Sequence, residues 1–309
     1  MLIAQTLKSL GMLFLLMIPG FIFKKKNVLD EKQNNALNAF VVNVTWPCMV
    51  IDAMQISFDD EILQNCGSMI LKLLVIFAAT AVLCLLIAKI FHFPASKCNL
   101  FIFMAIFGNT GFVGMPIIGA LYGKEALFYA SVIEAFNDIM IFTVGMILIQ
   151  KASGVEVKLE WKQFINPCFI GSIIGVLLFL LEVKLPDVVG QPVSMLANTT
   201  APIAMSVLGF QLGGLSLRSL AKDASSYVAV ITKLIAVPIV AFAIIRLWPG
   251  VAVIDKTMVI DMGMPVAVMA SLLSQRYGGD VEYPTKSVLL STIALIITVP
   301  VFAILLETL

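Results

Sequence analysis

The stretch that decides the fold reads Phe107-Gly108-Asn109-Thr110-Gly111-Phe112-Val113-Gly114-Met115-Pro116, and apolar sequence extends on both sides of it. Glycine lets the backbone leave helical geometry, and proline removes a backbone donor and clashes with the preceding turn. In lipid, the freed backbone groups need partners, so such a break is tolerated only where it is buried in protein or lines a wet cavity. The stretch therefore predicts a membrane helix that is broken near residues 111–116.

A second Gly-Met-Pro motif lies in the other half of the chain, within Asp261-Met262-Gly263-Met264-Pro265. We predict that this helix is also broken, near residues 263–271, and that the two broken helices cross at the middle of the membrane. Two ordinary proline kinks are the alternative, although a kink needs one proline and not a run of glycine and polar residues.

The composition is that of a membrane protein. Of the 309 residues, 60% are hydrophobic and 13% are charged, and the mean hydropathy is +1.03. Soluble domains carry about 25% charged residues, so a soluble globular protein is excluded. The net charge of +1 provides no basic field, so we expect the lipid bilayer and no nucleic acid as a partner.

At about 20 residues per membrane-spanning helix, a chain of this length has room for about ten spans. Hydropathy, with Gly, Pro and charged residues between the apolar runs, gives their approximate bounds. The ten predicted spans are Leu2–Phe23, Ala36–Ile56, Met69–Phe91, Cys98–Tyr122, Ala126–Ile149, Phe164–Leu181, Pro192–Leu217, Ala224–Trp248, Met258–Leu273 and Pro284–Leu305.

The basic residues predict the orientation in the membrane. Loops on one face hold 13 of the 20 Lys and Arg residues, five lie on the opposite face, and two lie within spans. Because cytoplasmic loops carry the excess of basic residues, the first face is expected to be cytoplasmic. We therefore expect a multi-pass protein of the cell (cytoplasmic) membrane, with both termini extracytoplasmic and the polar connection Gln150–Gln163 in the cytoplasm.

A shift of 155 residues lays the second half of the chain on the first. Each half carries five predicted spans, and an odd number means that the halves enter the membrane with opposite orientations. We predict two inverted five-helix repeats, 1–150 and 164–309, joined by a cytoplasmic linker, 151–163. Inverted repeats with interrupted helices are typical of secondary transporters. The matching segments are Asn43–Pro47 with Asn198–Pro202, Tyr122–Glu125 with Tyr277–Asp280, and Ile141–Val144 with Ile296–Val299.

The sequence resembles the auxin efflux carrier family, which includes bacterial malate or malonate permease-like proteins and the plant PIN-formed auxin carriers. The resemblance implies an all-α fold of two inverted repeats, related to the bile acid–sodium symporters, with broken helices 4 and 9 crossing at the substrate site. It also implies an elevator mechanism, in which helices 3–5 and 8–10 move against helices 1, 2, 6 and 7, and a homodimer. The plant carriers have a long central hydrophilic loop, whereas the linker is short here, as in bacterial members. The residues that carry the resemblance are Asn109-Thr110, Gly114-Met115-Pro116, Tyr122-Gly123, Pro265 and Tyr277-Gly278.

Acidic residues inside the predicted spans are candidates for ion coupling, because intramembrane charges are costly. Glu134 and Asp138 lie four residues apart on one face of the fifth span, with Asn137 beside them. Two like charges one turn apart repel, so a proton or ion held by the pair is one interpretation. The other is a hydrogen-bonded support for the helix-4 break. Asp261, just before the second break, is a further candidate that could face the outer vestibule.

Lys233 has three interpretations: it snorkels to the cytoplasmic surface, pairs with an acid across the bundle, or touches the substrate. Asn43 and Asn198, with Thr45 and Thr200, lie near the midplane of spans 2 and 7. They either bridge helices by hydrogen bonds or line the substrate cavity.

No enzyme chemistry is predicted. The five cysteines form no Cys-x-x-Cys pair, and there is one histidine, His92, at a predicted helix end. We therefore expect no metal site, no nucleophile–base pair and no cofactor.

The leading hypothesis is a secondary transporter for a small organic anion, a carboxylate such as a dicarboxylate or an auxin-like acid. No arginine lies deep in a span, so the positive ends of the broken half-helices are expected to hold the carboxylate. The alternative is a proton- or sodium-coupled symporter or antiporter of the same fold that uses Glu134 and Asp138. The inverted repeat disfavours a channel. The expected substrate-binding residues are Asn109, Thr110, Gly111, Gly114, Pro116, Gly263, Pro265, Asn43 and Asn198.

Overall fold

The computed structural model describes residues 2–57, 59–158, 166–214 and 224–307, and within these ranges the regular structure is helical, with no strand. In the described part of the chain, four π-helical turns lie directly before α-helices, at Val41–Thr45, Thr110–Gly114, Ile141–Gly145 and Thr232–Ala236. The helices are α1 Leu2–Leu15, α2 Ile18–Lys25, α3 Glu31–Phe40, α4 Trp46–Ala53, α5 Asp60–Ile90, α6 Ala95–Ile106, α7 Met115–Met140, α8 Met146–Ala152, α9 Pro167–Leu180, α10 Asp187–Gly213, α11 Ala224–Ile231, α12 Val237–Leu247, α13 Ala252–Met262, α14 Met269–Arg276 and α15 Glu282–Glu307.

The prediction of an all-α integral membrane protein is confirmed. In the described part of the chain, seven continuous helical segments are long and apolar enough to cross a membrane, and α6 and α9 are shorter apolar helices. The longest segment, Thr110–Ala152, is bent at Gly123, where φ is 79° and ψ is −163°. That bend lies between the fourth and fifth predicted spans.

Several helices begin earlier than the hydropathy predicts, because their first turns are polar. Asp30 and Gln33 form a capping box, so α3 begins at Glu31 and not at Ala36. Asp59 accepts the Glu61 N–H at 2.9 Å, so α5 begins nine residues before the predicted Met69. The predicted bounds Phe164 and Leu217 lie outside the described residues, as does part of the predicted linker, 159–163.

The fourth predicted span is broken at residues 107–109, before the predicted 111–116. Pro116 is the second residue of α7, which directly continues the π-helical turn Thr110–Gly114, so this proline lies inside a continuous helical segment, seven residues after Asn109. Pro47 and Pro238 follow π-helical turns in the same way. At these three places proline therefore follows a π-helical turn within a continuous helical segment, and Pro116 does not lie at the break.

The two broken segments cross and pair with each other. The Asn109 N–H donates to the Pro265 carbonyl at 2.7 Å, and the Ala267 N–H donates to the Phe107 carbonyl at 3.2 Å. These two bonds flank an antiparallel bridge between Gly108 and Val266. The crossing therefore satisfies part of the backbone that the breaks release, as a buried interruption requires.

Candidate functional site

A cavity of about 510 Å³ lies against this crossing. One wall is formed by the crossing segments and by α7 with the π-helical turn that follows it, and the other by α3–α4 and the ends of α9 and α10. Its volume lies within the range of small-molecule sites, about 300–1,000 Å³. The lining residues are Asn35, Asn38, Ala39, Val42, Asn43, Trp46, Gly108, Asn109, Thr110, Gly111, Phe112, Glu134, Asp138, Ile141, Phe142, Asn166, Cys168, Gln211, Ala267, Val268, Met269 and Leu272.

Two helix N-termini reach this cavity. One is the π-helical turn that begins at Thr110 and continues into α7, and the other is the start of α14 at Met269. Neither has a side-chain cap. Within the described ranges, the amides of Thr110, Gly111 and Phe112, and those of Val268 and Met269, donate to no carbonyl or side chain. Unpaired amides at a helix N-terminus form an anion-binding site.

A chain of polar side chains lies beside the first N-terminus. The Thr110 hydroxyl donates to Glu134 Oε2, and Asn137 Nδ2 approaches Thr110 Oγ1 at 3.4 Å. Glu134 and Asn137 are buried, and Asp138 Oδ2 has no hydrogen-bond partner in the described part of the chain. Glu134 and Asp138 both line the cavity, whereas Asn137 lies behind it.

The deepest charges lie behind the crossing. Lys233, in the π-helical turn after α11, is 0% exposed, and its Nζ donates to the carbonyls of Ala105 and Ile106 at 3.1 and 3.2 Å. Asp261 is buried close to Lys233 and Asn137. Lys233 therefore does not snorkel to the surface, and Asp261 does not face a vestibule.

The α3–α4 wall was only partly anticipated. Its lining residues Asn35, Asn38, Ala39, Val42, Asn43 and Trp46 recur at the spacing of one helical face. Asn43 was among the predicted residues, and its Nδ2 donates to the Ala39 carbonyl at 2.7 Å. The recurring asparagines at 35, 38 and 43 could have identified this face, but Asn35 and Asn38 were not predicted and the predicted span began at Ala36.

The structure brings four of the nine expected binding residues to the cavity: Asn43, Asn109, Thr110 and Gly111. The other five do not line it. Gly114, Pro116, Gly263 and Pro265 are buried elsewhere in the crossing, and the Gly114 N–H donates to the Asn109 carbonyl at 3.2 Å. Asn198 is exposed on the surface of α10.

Among the described residues, the cavity lining contains two acidic side chains and no basic one. No group of His, Cys, Asp and Glu side chains in the described part has the arrangement of a metal site. Any positive potential in the cavity therefore comes from the two helix N-termini and from charges behind its wall.

The sequence pattern of the family described as membrane transport protein matches residues 6–303 of the chain. The chain belongs to this family. Membership confirms the resemblance to the auxin efflux carriers, and it makes the chain a multi-pass membrane protein of a transporter family.

Proteins of distant organisms align with most of the chain. An "uncharacterized transporter" of Methanothermobacter thermautotrophicus is 22% identical, over 98% of both chains. A Rhizobium meliloti protein named "putative malonate transporter" is 21% identical, over 85% of this chain and 84% of its own. The mouse lysosomal cholesterol signaling protein is 24% identical over 90% of this chain, which covers 35% of the mouse protein.

Proposed function

We propose that the protein is a secondary transporter that moves a small organic anion across the cell membrane by elevator-type alternating access. The observation that carries the proposal is the cavity at the crossing, where unpaired amides of two half-helices meet. A carboxylate buried without partners costs several kcal/mol or more. Hydrogen bonds to a charged group return about 1.5–3 kcal/mol each, so a few amides suffice for weak, reversible binding.

Malonate is a reasonable first substrate to test, because a relative carries it in its name. The cavity also has an apolar wall, which includes Trp46, Phe112 and Leu272, and its volume of about 510 Å³ admits larger carboxylates. The substrate class that this supports is a carboxylate, with malate and auxin-like acids as further members.

The acidic pair supports coupling to a cation. Glu134 and Asp138 line the cavity that contains the proposed anion site. If both were ionised, they would repel each other and the bound anion. A proton bound to the pair neutralises one carboxylate and reduces this repulsion, so substrate and proton would cross together. A symporter or antiporter that uses sodium in place of the proton is the alternative.

Backbone features spaced by 155 residues support ten spans in two inverted repeats. Gly108 lies at the first break and Gly263 at the start of the second. Gly123 and Gly278 have positive φ values of 79° and 68°, and Asn27 and Glu182 have 52° and 56°. Each pair differs by 155 in sequence number. Three predicted spans have no long helix of their own: the fourth and the ninth, which the breaks divide, and the sixth, which is the short helix α9.

The cavity extends toward the face that is predicted to be cytoplasmic. Asn35 and Gln211, near the loops on that face, are exposed and line the cavity. This arrangement supports an inward-open state, with helices 3–5 and 8–10 as the moving unit and helices 1, 2, 6 and 7 as a dimerising scaffold.

Uptake into proteoliposomes tests the proposal. Purified protein is reconstituted, and the initial uptake of radiolabelled malonate, malate and indole-3-acetate is measured with a proton gradient, a sodium gradient or neither. We expect saturable uptake of at least one carboxylate, accelerated by the proton gradient. If the folded protein takes up none of the three carboxylates, the proposed anion transport is wrong.

Two variants assign the coupling. Glu134→Gln keeps an acceptor for the Thr110 hydroxyl but removes the charge, and Asp138→Asn removes the charge one turn later. We expect both to lose the acceleration by the proton gradient. Acceleration by sodium alone in the wild-type protein favours the sodium-coupled alternative.

A further inference from the structure

The cavity presents an electrostatic problem for an anion. Its described lining includes Glu134 and Asp138 but no basic side chain. Two helix N-termini supply only partial positive charge. Positive charge from behind the wall would make up the difference, because the interior of the bundle screens charge less than water does.

One ammonium group lies directly behind that wall. A Cβ atom placed on Gly108, which lines the cavity, would be 3.2 Å from Lys233 Nζ. The ammonium is therefore separated from the cavity by the thickness of the extended chain at Gly108. Its bonds to the Ala105 and Ile106 carbonyls hold it at the end of α6, where the broken helix presents its negative pole.

The neighbouring acid determines how much of this charge reaches the cavity. Asp261 lies near Lys233, is 1% exposed and keeps Oδ2 without a partner among the described residues. Asp261 does not line the cavity; it lies close to Lys233 and to Gly114, where an added Cβ would be 3.5 Å from Asp261 Oδ1. It therefore offsets part of the Lys233 charge without contacting a ligand in the cavity.

We propose that Lys233 is a positioning residue for the anion: its buried ammonium, acting through the Gly108 wall, supplies the positive potential that the cavity lining lacks. This inference rests on the proposed anion transport. It gives the two members of the buried pair opposite effects on substrate affinity. Removing the Lys233 charge weakens anion binding, whereas removing the Asp261 charge strengthens it.

The experiment measures the KM of uptake for the carboxylate that the wild-type protein takes up fastest among malonate, malate and indole-3-acetate. Lys233→Met alone leaves Asp261 buried without its cation and endangers the fold, so the key variant is Lys233→Met/Asp261→Asn. We expect its KM to rise severalfold, because the variant removes the Lys233 charge together with the partly opposing charge of Asp261. Asp261→Asn alone is expected to lower KM severalfold. Thermal unfolding in detergent verifies that each variant is folded.

The chain offers a matched control. Lys72 and Asp255 form a second buried pair at 2.8 Å, and Asp255 is on α13 with Asp261, but neither lines the cavity. Lys72→Met/Asp255→Asn is expected to keep the wild-type KM.

A wild-type KM in folded Lys233→Met/Asp261→Asn would overturn the inference, as would an equal rise in the control. A KM raised by Asp261→Asn would also overturn it. If the two residues only stabilised the fold, removing either one would raise KM, whereas an electrostatic role requires Asp261→Asn to lower it. Absence of carboxylate uptake by the wild-type protein would instead refute the proposed function, and this inference with it.

Discussion

Gly111→Ala tests whether the half-helix must approach α4 as closely as the structure has it. A Cβ on Gly111 would overlap the indole of Trp46 at Cζ2 and Cη2 and would lie 2.5 Å from Cε2. Carbon atoms in contact normally lie about 3.5–4.0 Å apart, so the ring or the half-helix has to move by about 1–2 Å. Overpacking of this kind costs about 1–3 kcal/mol, and the movement also displaces the unpaired Gly111 amide.

We expect Gly111→Ala to lower carboxylate uptake at least tenfold and to lower the thermal unfolding temperature in detergent. Gly67→Ala is the control, because no atom lies within 4 Å of a Cβ at that position. The double variant Gly111→Ala/Trp46→Ala removes the overlapping ring. The double variant should lose less unfolding free energy than the two single variants lose together, and the difference, the coupling energy, should exceed about 0.5 kcal/mol. Wild-type uptake and stability in Gly111→Ala, or no coupling with Trp46, would refute the reasoning.

Three further predictions concern the site, the turn and the topology. Asn109→Ala should raise the KM of carboxylate uptake about tenfold, the equivalent of about 1.4 kcal/mol, with unfolding unchanged; an unchanged KM removes Asn109 from the site. Gly123→Ala should cost about 1–3 kcal/mol of stability, since φ 79° and ψ −163° is open essentially to glycine alone, and an unchanged unfolding temperature contradicts this bend. Lys158→Cys should resist a membrane-impermeant maleimide in intact cells and react in inside-out vesicles; ready labelling from outside reverses the predicted orientation.

The existence of the crossing could be predicted from sequence, but its position could not. The Gly-rich run at Gly108–Gly114 and the Gly-Met-Pro motif at Gly263 both indicate interruptions. Proline biased the first break toward Pro116, although the structure uses that proline at the start of α7. Gly108 and Gly263, which lie at the two breaks, are 155 residues apart, the same shift that relates the matching segments of the two halves.

The charges behind the crossing could not be predicted, because their partners are distant in sequence. Lys233 bonds to carbonyls 127 and 128 residues away, and Lys72 meets Asp255 across 183 residues. A single lysine in an apolar run is compatible with snorkelling, and only the packing of α11–α12 against the end of α6 buries it. The acidic pair could be predicted from sequence, because Glu134 and Asp138 are four residues apart and therefore share one helical face.

The most direct test of the central claim is a structure of the protein with a heavy-atom carboxylate, bromomalonate, located by its anomalous signal. We predict that it binds in the cavity, with carboxylate oxygens within about 3.2 Å of the amide nitrogens of Thr110–Phe112 or Val268–Met269. Bromomalonate bound at saturating concentration anywhere else, with these amides still unpaired, would contradict the account.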